Sequence, residues 1–120
     1  MNFAGNRKTM LAALIVALMG ALMVMTSTAW AGDLEVAQKD KAFMINGAKI
    51  TTLNVKVGDV VAFKNLDPYF HNIFSLSDTK LFDLGSFPQG QSRSVTFNKA
   101  GKVEVECAIH PQMKLTVEVK

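Results

Sequence analysis

Residues 32–120 predict an all-β domain, built as a β-sandwich or a small barrel of seven or eight short strands. Three observations lead to this fold class. Apolar and polar residues alternate with a period of two through most of the segment, which is typical of strands buried on one face. Residues that favour turns separate the alternating stretches. No stretch beyond the first 31 residues has a convincing helical period.

The alternating stretches give the predicted strands in chain order. The first contains Leu34 and Val36, and the others cover 49–57, 60–63, 71–74, 92–97, 102–107 and 114–119. Residues 78–90 are the least regular part of the segment, so we predict no strand there. One compact all-β domain follows from this pattern.

Turn residues mark where these strands end. Asn46-Gly47 predicts a type I′ hairpin turn, and Gly58-Asp59 predicts a second two-residue hairpin. Lys99-Ala100-Gly101 supplies a glycine where the chain reverses. Asp67-Pro68 ends a strand, because proline has no N–H to donate into a sheet.

The first 31 residues have the organisation of a secretory signal peptide. Arg7 and Lys8 precede an uncharged apolar run over 11–25, and the small-x-small sequence Ala29-Trp30-Ala31 follows that run. The run is about 15 residues long, whereas a membrane-spanning helix needs roughly 20. We therefore expect export with cleavage after Ala31, and a retained membrane anchor is the alternative. This divides the chain into a leader over 1–31 and one domain over 32–120.

Removal of the leader changes the charge balance. The precursor has 13 basic and 10 acidic residues, whereas the 89 residues of the mature segment have 11 and 10, for a net charge of +1. This weak charge gives no support to a role on nucleic acid or on an anionic membrane. We expect a monomer with no stable membrane insertion once the leader is removed.

The single cysteine has no disulfide partner within the chain and stands in an unusual sequence context. The segment 107–113 has the sequence Cys-Ala-Ile-His-Pro-Gln-Met. His110 therefore lies three positions after Cys107, and Met113 lies six positions after it. With two His and two Met in the mature segment, chance gives this arrangement about once in two thousand sequences. Val103 and Val105 alternate with Cys107, so we expect the thiol to face the core at the end of a strand. A tight loop can then turn all three side chains to one point.

The other histidine of the mature segment is His71, in a predicted strand among aromatic and aliphatic residues. An unpaired imidazole is costly to bury. His71 is therefore either hydrogen-bonded to backbone or the second imidazole of a site with Cys107, His110 and Met113. Two imidazoles, a thiolate and a thioether suit copper in both oxidation states and are typical of blue-copper electron-transfer sites. Structural zinc rarely takes a thioether, and calcium and magnesium prefer oxygen ligands.

Other uses of these residues fit the sequence less well. Covalent haem attachment and thioredoxin-type chemistry both need a second cysteine. A nucleophilic pair of Cys107 and His110 lacks a third residue to orient it. Protein side chains would fill every position around the metal, so we expect electron transfer and no enzyme activity. A metal-free interaction module with a buried Cys107 is a further alternative.

At these residues the sequence resembles the cupredoxins, the family of plastocyanin, pseudoazurin and amicyanin. The resemblance rests on Val57-Gly58-Asp59 leading into 60–65, on His71-Asn72, and on 101–113 with its closing strand. The Cys-x-x-His-x-x-Met spacing, with a proline directly after the histidine, is most similar to amicyanin.

The resemblance implies a Greek-key β-sandwich with one type 1 copper per chain near one end. It implies His71, Cys107 and His110 as the strong ligands and Met113 as the weak axial ligand. It also implies that Asn72 ties the His71 strand to the ligand loop, with hydrogen bonding near the Cys107 sulfur. The same resemblance implies an apolar patch for electron exchange; Ala108, Ile109 and Pro111 are its candidates here. Glu106 departs from the family, which often has an aromatic or aliphatic residue there, but alternation points Glu106 away from the core.

These implications predict a blue copper protein in a Gram-negative-type periplasm. It would shuttle single electrons between redox protein partners such as a c-type cytochrome, a dehydrogenase or a reductase. A periplasmic copper carrier or buffering protein with the same fold is the alternative. Met44 is the only spare methionine of the mature segment, which has no spare histidine, and this argues against a carrier.

Overall fold

Ten β-strands make up the part of the chain that the structure describes, a computed structural model covering residues 32–120. In chain order they are β1 (Asp33–Lys39), β2 (Ala42–Ile45), β3 (Ala48–Lys49), β4 (Thr52–Val55), β5 (Asp59–Asn65), β6 (His71–Ser75), β7 (Phe82–Phe87), β8 (Ser92–Phe97), β9 (Gly101–Cys107) and β10 (Lys114–Val119). The predicted leader, residues 1–31, lies outside the described residues. Within 32–120, no helix has the length and hydrophobicity that crossing a membrane requires.

The strands form two five-stranded sheets that share one hydrophobic core. One sheet has the order β3-β2-β1-β5-β8, and the other has the order β4-β10-β9-β6-β7. Each sheet is mixed, because β1 pairs with β5 and β4 pairs with β10 in parallel, whereas the other pairs are antiparallel. The all-β sandwich predicted from the sequence is confirmed, with ten strands in place of the expected seven or eight.

The alternating sequence explains how the core forms. Along β9, Val103, Val105 and Cys107 are buried, while the residues between them are exposed or half-buried. On the facing sheet, Val61 and Phe63 of β5 are fully buried. Burying one such side chain contributes roughly 1.5–3 kcal/mol, and a shift of one residue would turn every one of them to solvent. The core therefore fixes the register that turns the Cys107 thiol inward.

The predicted turns have different roles in the structure. Asn46 and Gly47, with φ of 49° and 80°, join β2 to β3 as the predicted type I′ hairpin. The hairpin predicted at Gly58-Asp59 is wrong, because β4 and β5 lie in different sheets and do not pair. This turn instead carries the chain between the sheets, and the Asp59 carboxylate accepts the Lys56 N–H to close it.

A strand in the second sheet differs from the prediction. Strand β7 lies within 78–90, the segment for which we predicted no strand, and pairs with β6 at the edge of its sheet. Of its six residues only Phe87 is buried, so its sequence lacks the alternation that reveals a strand. Gly101, the glycine predicted where the chain reverses, ends a turn that crosses between the sheets from β8 to β9. A Cβ at Gly101 would lie 2.8 Å from the Thr79 hydroxyl, so this turn requires glycine.

Candidate metal centre

The sheet pairing brings His71 and Cys107 to the same end of the sandwich. His71 is the first residue of β6, and Cys107 is the last residue of β9. These strands are antiparallel neighbours with Ile73 opposite Cys107, so the start of one lies beside the end of the other. Both side chains are buried, at 0% and 2% exposure.

The loop between β9 and β10 brings His110 to the same point. Met113 N–H donates to the His110 carbonyl at 2.9 Å, which closes a turn with Pro111 at its second position. Proline favours that position because its φ is already fixed near the required value. Cys107 N–H donates to the Met113 carbonyl at 3.3 Å. Met113 thus returns beside Cys107 at the base of the loop, and its side chain is buried at 1% exposure.

A further hydrogen bond fixes this loop to β6. Ala108 N–H donates to the backbone carbonyl of Asn72 at 3.2 Å. The resemblance implied a tie at Asn72, and the structure has one through the main chain. The loop is therefore held at both of its ends and against the strand that carries His71.

Three donor atoms converge at this end of the sandwich. The Nδ1 atoms of His71 and His110 lie 3.2 Å apart, and each lies 3.7 Å from the Cys107 Sγ. The point equidistant from the three atoms is about 2 Å from each, close to ordinary metal–nitrogen and metal–sulfur bond lengths. Two imidazoles and a thiol in a trigonal arrangement are the donors of a blue-copper centre. The residues therefore fit a copper ion in both chemistry and spacing.

A buried carboxylate orients His71. His71 Nε2 lies 2.7 Å from the Asp67 Oδ2, and Asp67 is 2% exposed. A carboxylate accepts hydrogen bonds, so this contact puts the ring proton on Nε2 and leaves the Nδ1 lone pair directed at the candidate site. The hydrogen bond that a buried His71 requires is therefore made to a carboxylate and not to backbone.

Asp67 also links the candidate site to the turn between β1 and β2. Its Oδ1 accepts the Asp40 N–H at 2.7 Å, and its Oδ2 accepts the Lys41 N–H at 3.2 Å. Both turn residues have left-handed backbone, with φ of 53° and 56°, which is uncommon outside glycine. Burial by itself raises the pKa of Asp67, but the hydrogen bonds from His71 and the two backbone N–H groups outweigh it and lower that pKa.

Tyr69 packs against both histidines. Its ring centroid lies 5.5 Å from that of His71 and 5.2 Å from that of His110, and the Lys41 Nζ lies 5.6 Å from the same ring. Burial lowers the pKa of His110, and so does the positive charge that His71 carries when protonated and the charge of Lys41. His110 is thus held neutral near pH 7, the form in which an imidazole binds a metal.

The surface around His110 is apolar. His110 is half-buried, and its neighbours Ala108, Ile109 and Pro111 are exposed, with Ile109 at 51%. The loop between β5 and β6 adds Phe70, which is 54% exposed. Glu106 is half-buried and pairs with Lys114 at 3.8 Å, so it faces outward as alternation predicted.

The structure brings together three of the four residues predicted from the sequence. His71, Cys107 and His110 place one donor atom each within 4.8 Å of the others, and Met113 lies buried at the base of the loop. Sequence reasoning missed Asp67 and Tyr69. It used Asp67-Pro68 only as the end of a strand, although a buried His71 needs a partner and Asp67 stands four residues before it.

Comparison with known proteins supports this geometry. No protein-family profile matches the sequence. The chain is 30% identical over 113 residues to the methylamine utilization protein MauL of Methylorubrum extorquens, covering 93% of this chain and 95% of that protein. It also superposes on a solved Cu(I) structure of an amicyanin variant with a TM-score of 0.65 and 25% identity, covering 77% of this chain and 86% of the other. A copper-containing nitrite reductase of Thermus scotoductus shares only the fold, at 22% identity and a TM-score of 0.64, over 81% of this chain and 24% of its own.

A two-sheet sandwich with two histidines and a cysteine at one end defines a cupredoxin, and the chain belongs to the cupredoxin family. Within that family its likeness is to the amicyanins. Its cofactor is copper, and it is a copper-binding protein and not an enzyme. The relatives and the His-Cys-His site indicate a copper electron carrier.

Proposed function

We propose that the protein is a periplasmic blue copper protein that shuttles single electrons between redox partners. The observation that carries this proposal is the triangle of the two Nδ1 atoms and the Cys107 Sγ, with sides of 3.2, 3.7 and 3.7 Å. His71, Cys107 and His110 are the proposed strong ligands, and Met113 is the proposed weak axial ligand. When bound, copper supplies a couple between Cu(I) and Cu(II).

The surrounding protein keeps these side chains in place whatever the charge at the site. Three of the four proposed ligands are buried, and Asp67 fixes the orientation of the His71 ring. Backbone hydrogen bonds hold the loop of His110 and Met113 against β6 and β9. A site that moves little between two charge states has little to reorganise during electron transfer, which favours rapid exchange of single electrons.

Burial of the proposed ligands supports an electron shuttle over a copper carrier. A carrier must release its metal to a recipient, and the recipient's ligands must reach the site. Here only His110 is partly exposed among the proposed ligands, and it is packed against Tyr69. The structure therefore favours an electron shuttle over a carrier or buffering protein.

The surface around His110 suits a brief encounter with a partner protein. The apolar residues Ile109 and Phe70 are exposed beside the half-buried ring. A cleft of about 320 Å³ adjoins the ligand loop, and Lys41, Lys49 and Lys114 lie along it. We propose partners that present an apolar patch with acidic residues at its rim, such as a c-type cytochrome, a dehydrogenase or a reductase. Since MauL is named for methylamine utilization, an amine dehydrogenase is the first electron donor to test.

The proposed location follows from the leader. We propose that residues 1–31 direct export and are removed after Ala31, which leaves residues 32–120 as a monomer in the periplasm. A free thiol such as Cys107 is unusual in an oxidising compartment. Its burial and its place among the proposed copper ligands protect it from oxidation.

Visible absorption and electron paramagnetic resonance of the mature protein loaded with Cu(II) test the proposal. We expect an intense thiolate-to-copper band and narrow copper hyperfine splitting, and Cys107→Ser should abolish both. Val103→Thr is the matched control, because it places a hydroxyl on the same buried face of β9 away from the donors. A blue Cys107→Ser protein would show that the ligand assignment is wrong. A pale spectrum of the parent protein, or no stoichiometric copper, would refute electron transfer and favour the carrier.

A further inference from the structure

A buried carboxylate holds the first residue of the predicted mature chain. Asp59 begins β5 and is 7% exposed. Its Oδ1 accepts a hydrogen bond from the Gly32 nitrogen at 2.8 Å, and its Oδ2 accepts one from the Lys56 N–H at 2.8 Å. The hydrogen bond from Lys56, and next the one from Gly32, lower the pKa of Asp59. A negative charge therefore lies next to the Gly32 nitrogen at neutral pH.

Gly32 is also fixed from its other side. Val60 N–H donates to the Gly32 carbonyl at 3.0 Å. The parallel ladder between β1 and β5 begins one residue later, where Asp33 pairs with Val60. Gly32 is exposed, yet both its nitrogen and its carbonyl have defined partners in β5 or at its start. Its nitrogen thus has a fixed place at the start of the domain.

We propose that Asp59 is the binding site for the α-ammonium group that cleavage of the Ala31–Gly32 bond creates. A leader peptidase would break this C–N bond with water, whose hydroxyl joins the Ala31 carbonyl carbon and whose proton joins the Gly32 nitrogen. The amine then takes up a second proton at neutral pH, and the new Ala31 carboxyl group loses one. This inference rests on the export proposed above and identifies Asp59 as a residue that recognises the processed chain.

Processing changes the chemistry of this contact. A neutral peptide N–H beside the Asp59 carboxylate becomes an ammonium group, which adds a direct attraction between opposite charges. The carboxylate favours the protonated amine and so raises its pKa above the usual value of about 7.7–8.0. A cation with a raised pKa in the folded state stabilises that state at lower pH, and this stabilisation disappears as the pH rises through the raised pKa. Removal of the leader therefore stabilises the mature domain at neutral pH.

The proposed ammonium site lies far from the copper centre. Asp59 and Asn65 are the two ends of β5, and a seven-residue strand spans roughly 20 Å. Asn65 lies at the end near the candidate metal centre, where its side-chain oxygen accepts the Asp67 N–H at 2.8 Å. A change at Asp59 should therefore leave the copper spectrum unaltered, so a failure of this inference is distinguishable from a failure of the proposed function.

Four proteins covering residues 32–120 test the inference. They combine a free or an acetylated α-amine at Gly32 with either the parent Asp59 or the substitution Asp59→Asn. The two sheets and the hydrophobic core that the structure describes lie within residues 32–120. Acetylation removes the terminal charge without changing any side chain. Nuclear magnetic resonance of protein labelled with nitrogen-15 at Gly32 gives the pKa of the α-amine. Thermal unfolding at pH 7 gives the stability of each protein.

With Asp59 present, we expect the pKa of the Gly32 amine to be raised by about one unit, and acetylation should lower the unfolding midpoint. Both effects should be absent in Asp59→Asn, while the copper spectrum stays the same in all four proteins. An ordinary amine pKa, or an equal effect of acetylation with and without Asp59, would overturn the inference. Mass spectrometry of the exported full-length product provides a second check, since an N-terminus other than Gly32 would also overturn it.

Discussion

Asp67→Ala is the most informative single substitution, because Asp67 touches the candidate site without being a proposed ligand. The change removes the acceptor of the His71 Nε2 proton and of two backbone N–H groups. The ring of His71 would lose the contact that directs its Nδ1 at the site. We expect losses of both copper affinity and stability, and these have different physical origins.

The magnitudes follow from the contacts. A fully buried His71 N–H left without an acceptor costs about 1–3 kcal/mol. The N–H groups of Asp40 and Lys41 lie on exposed turn residues and can bind water instead. Loss of each of their hydrogen bonds to Asp67 therefore lowers the free energy of unfolding by only about 0.5–1.5 kcal/mol. The three losses sum to about 4 kcal/mol, which lowers the unfolding midpoint of a domain of this size by roughly 16 °C or more. Removing the partner of a metal-binding histidine costs a further 10–100-fold in copper affinity.

Two assays separate these effects. Thermal unfolding of the metal-free protein measures the stability loss, and competition with a copper chelator measures the affinity. Asp67→Asn keeps an acceptor for His71 without the charge, so its stability should fall between those of the parent and Asp67→Ala. The reduction potential should rise in both variants, because loss of a nearby negative charge disfavours Cu(II). Asp78→Ala, at an exposed carboxylate, is the control and should change stability by less than about 0.5 kcal/mol.

The pH dependence gives an internal check on this reasoning. The pKa of Asp67 is lowered in the folded state. The ionised carboxylate therefore stabilises the fold at pH values above the pKa of an unfolded aspartate, about 3.9, and this stabilisation is lost as the pH falls through the lowered pKa. The stability difference between the parent and Asp67→Asn should therefore shrink in acid. Parent-like copper affinity and potential in Asp67→Ala would refute the role assigned to Asp67.

Three further predictions concern the axial ligand, the core and the docking surface. Met113→Leu conserves volume at a buried position, so the free energy of unfolding should change by less than about 1.5 kcal/mol. Copper should stay bound and its reduction potential should rise. An unchanged reduction potential would argue against an axial thioether ligand. Phe63→Ala should cost about 3–5 kcal/mol in chemical denaturation, because the ring is fully buried, and a loss below 1 kcal/mol would contradict its place in the core. Lys41→Ala should slow oxidation of the Cu(I) protein by the anion hexacyanoferrate(III) about two- to fivefold at low salt and not in roughly 1 M salt. Lys102→Ala, at the opposite end, should have no such effect, and equal slowing by both variants would exclude a local role for Lys41.

The sequence by itself determined the fold class and most of the donor set. Alternation is a property of single strands, so it revealed β8 and β10 with their observed bounds. The spacing from Cys107 to His110 and Met113 lies within one loop and is therefore visible along the chain. The resemblance to cupredoxins rested on the same local motifs.

Tertiary structure decided what depends on which strands are neighbours. The sequence Gly58-Asp59 predicts a hairpin, and this prediction is wrong because a local turn sequence does not show whether the chain stays in one sheet or crosses to the other. The sequence does not predict strand β7, because an edge strand with one buried residue lacks the alternation of apolar and polar residues. His71 and Cys107 are 36 residues apart in the chain, and they come into contact only because β6 and β9 pair. The role of Asp67 was likewise decided in three dimensions, because folding excludes water from the His71 ring and makes that carboxylate its hydrogen-bond partner.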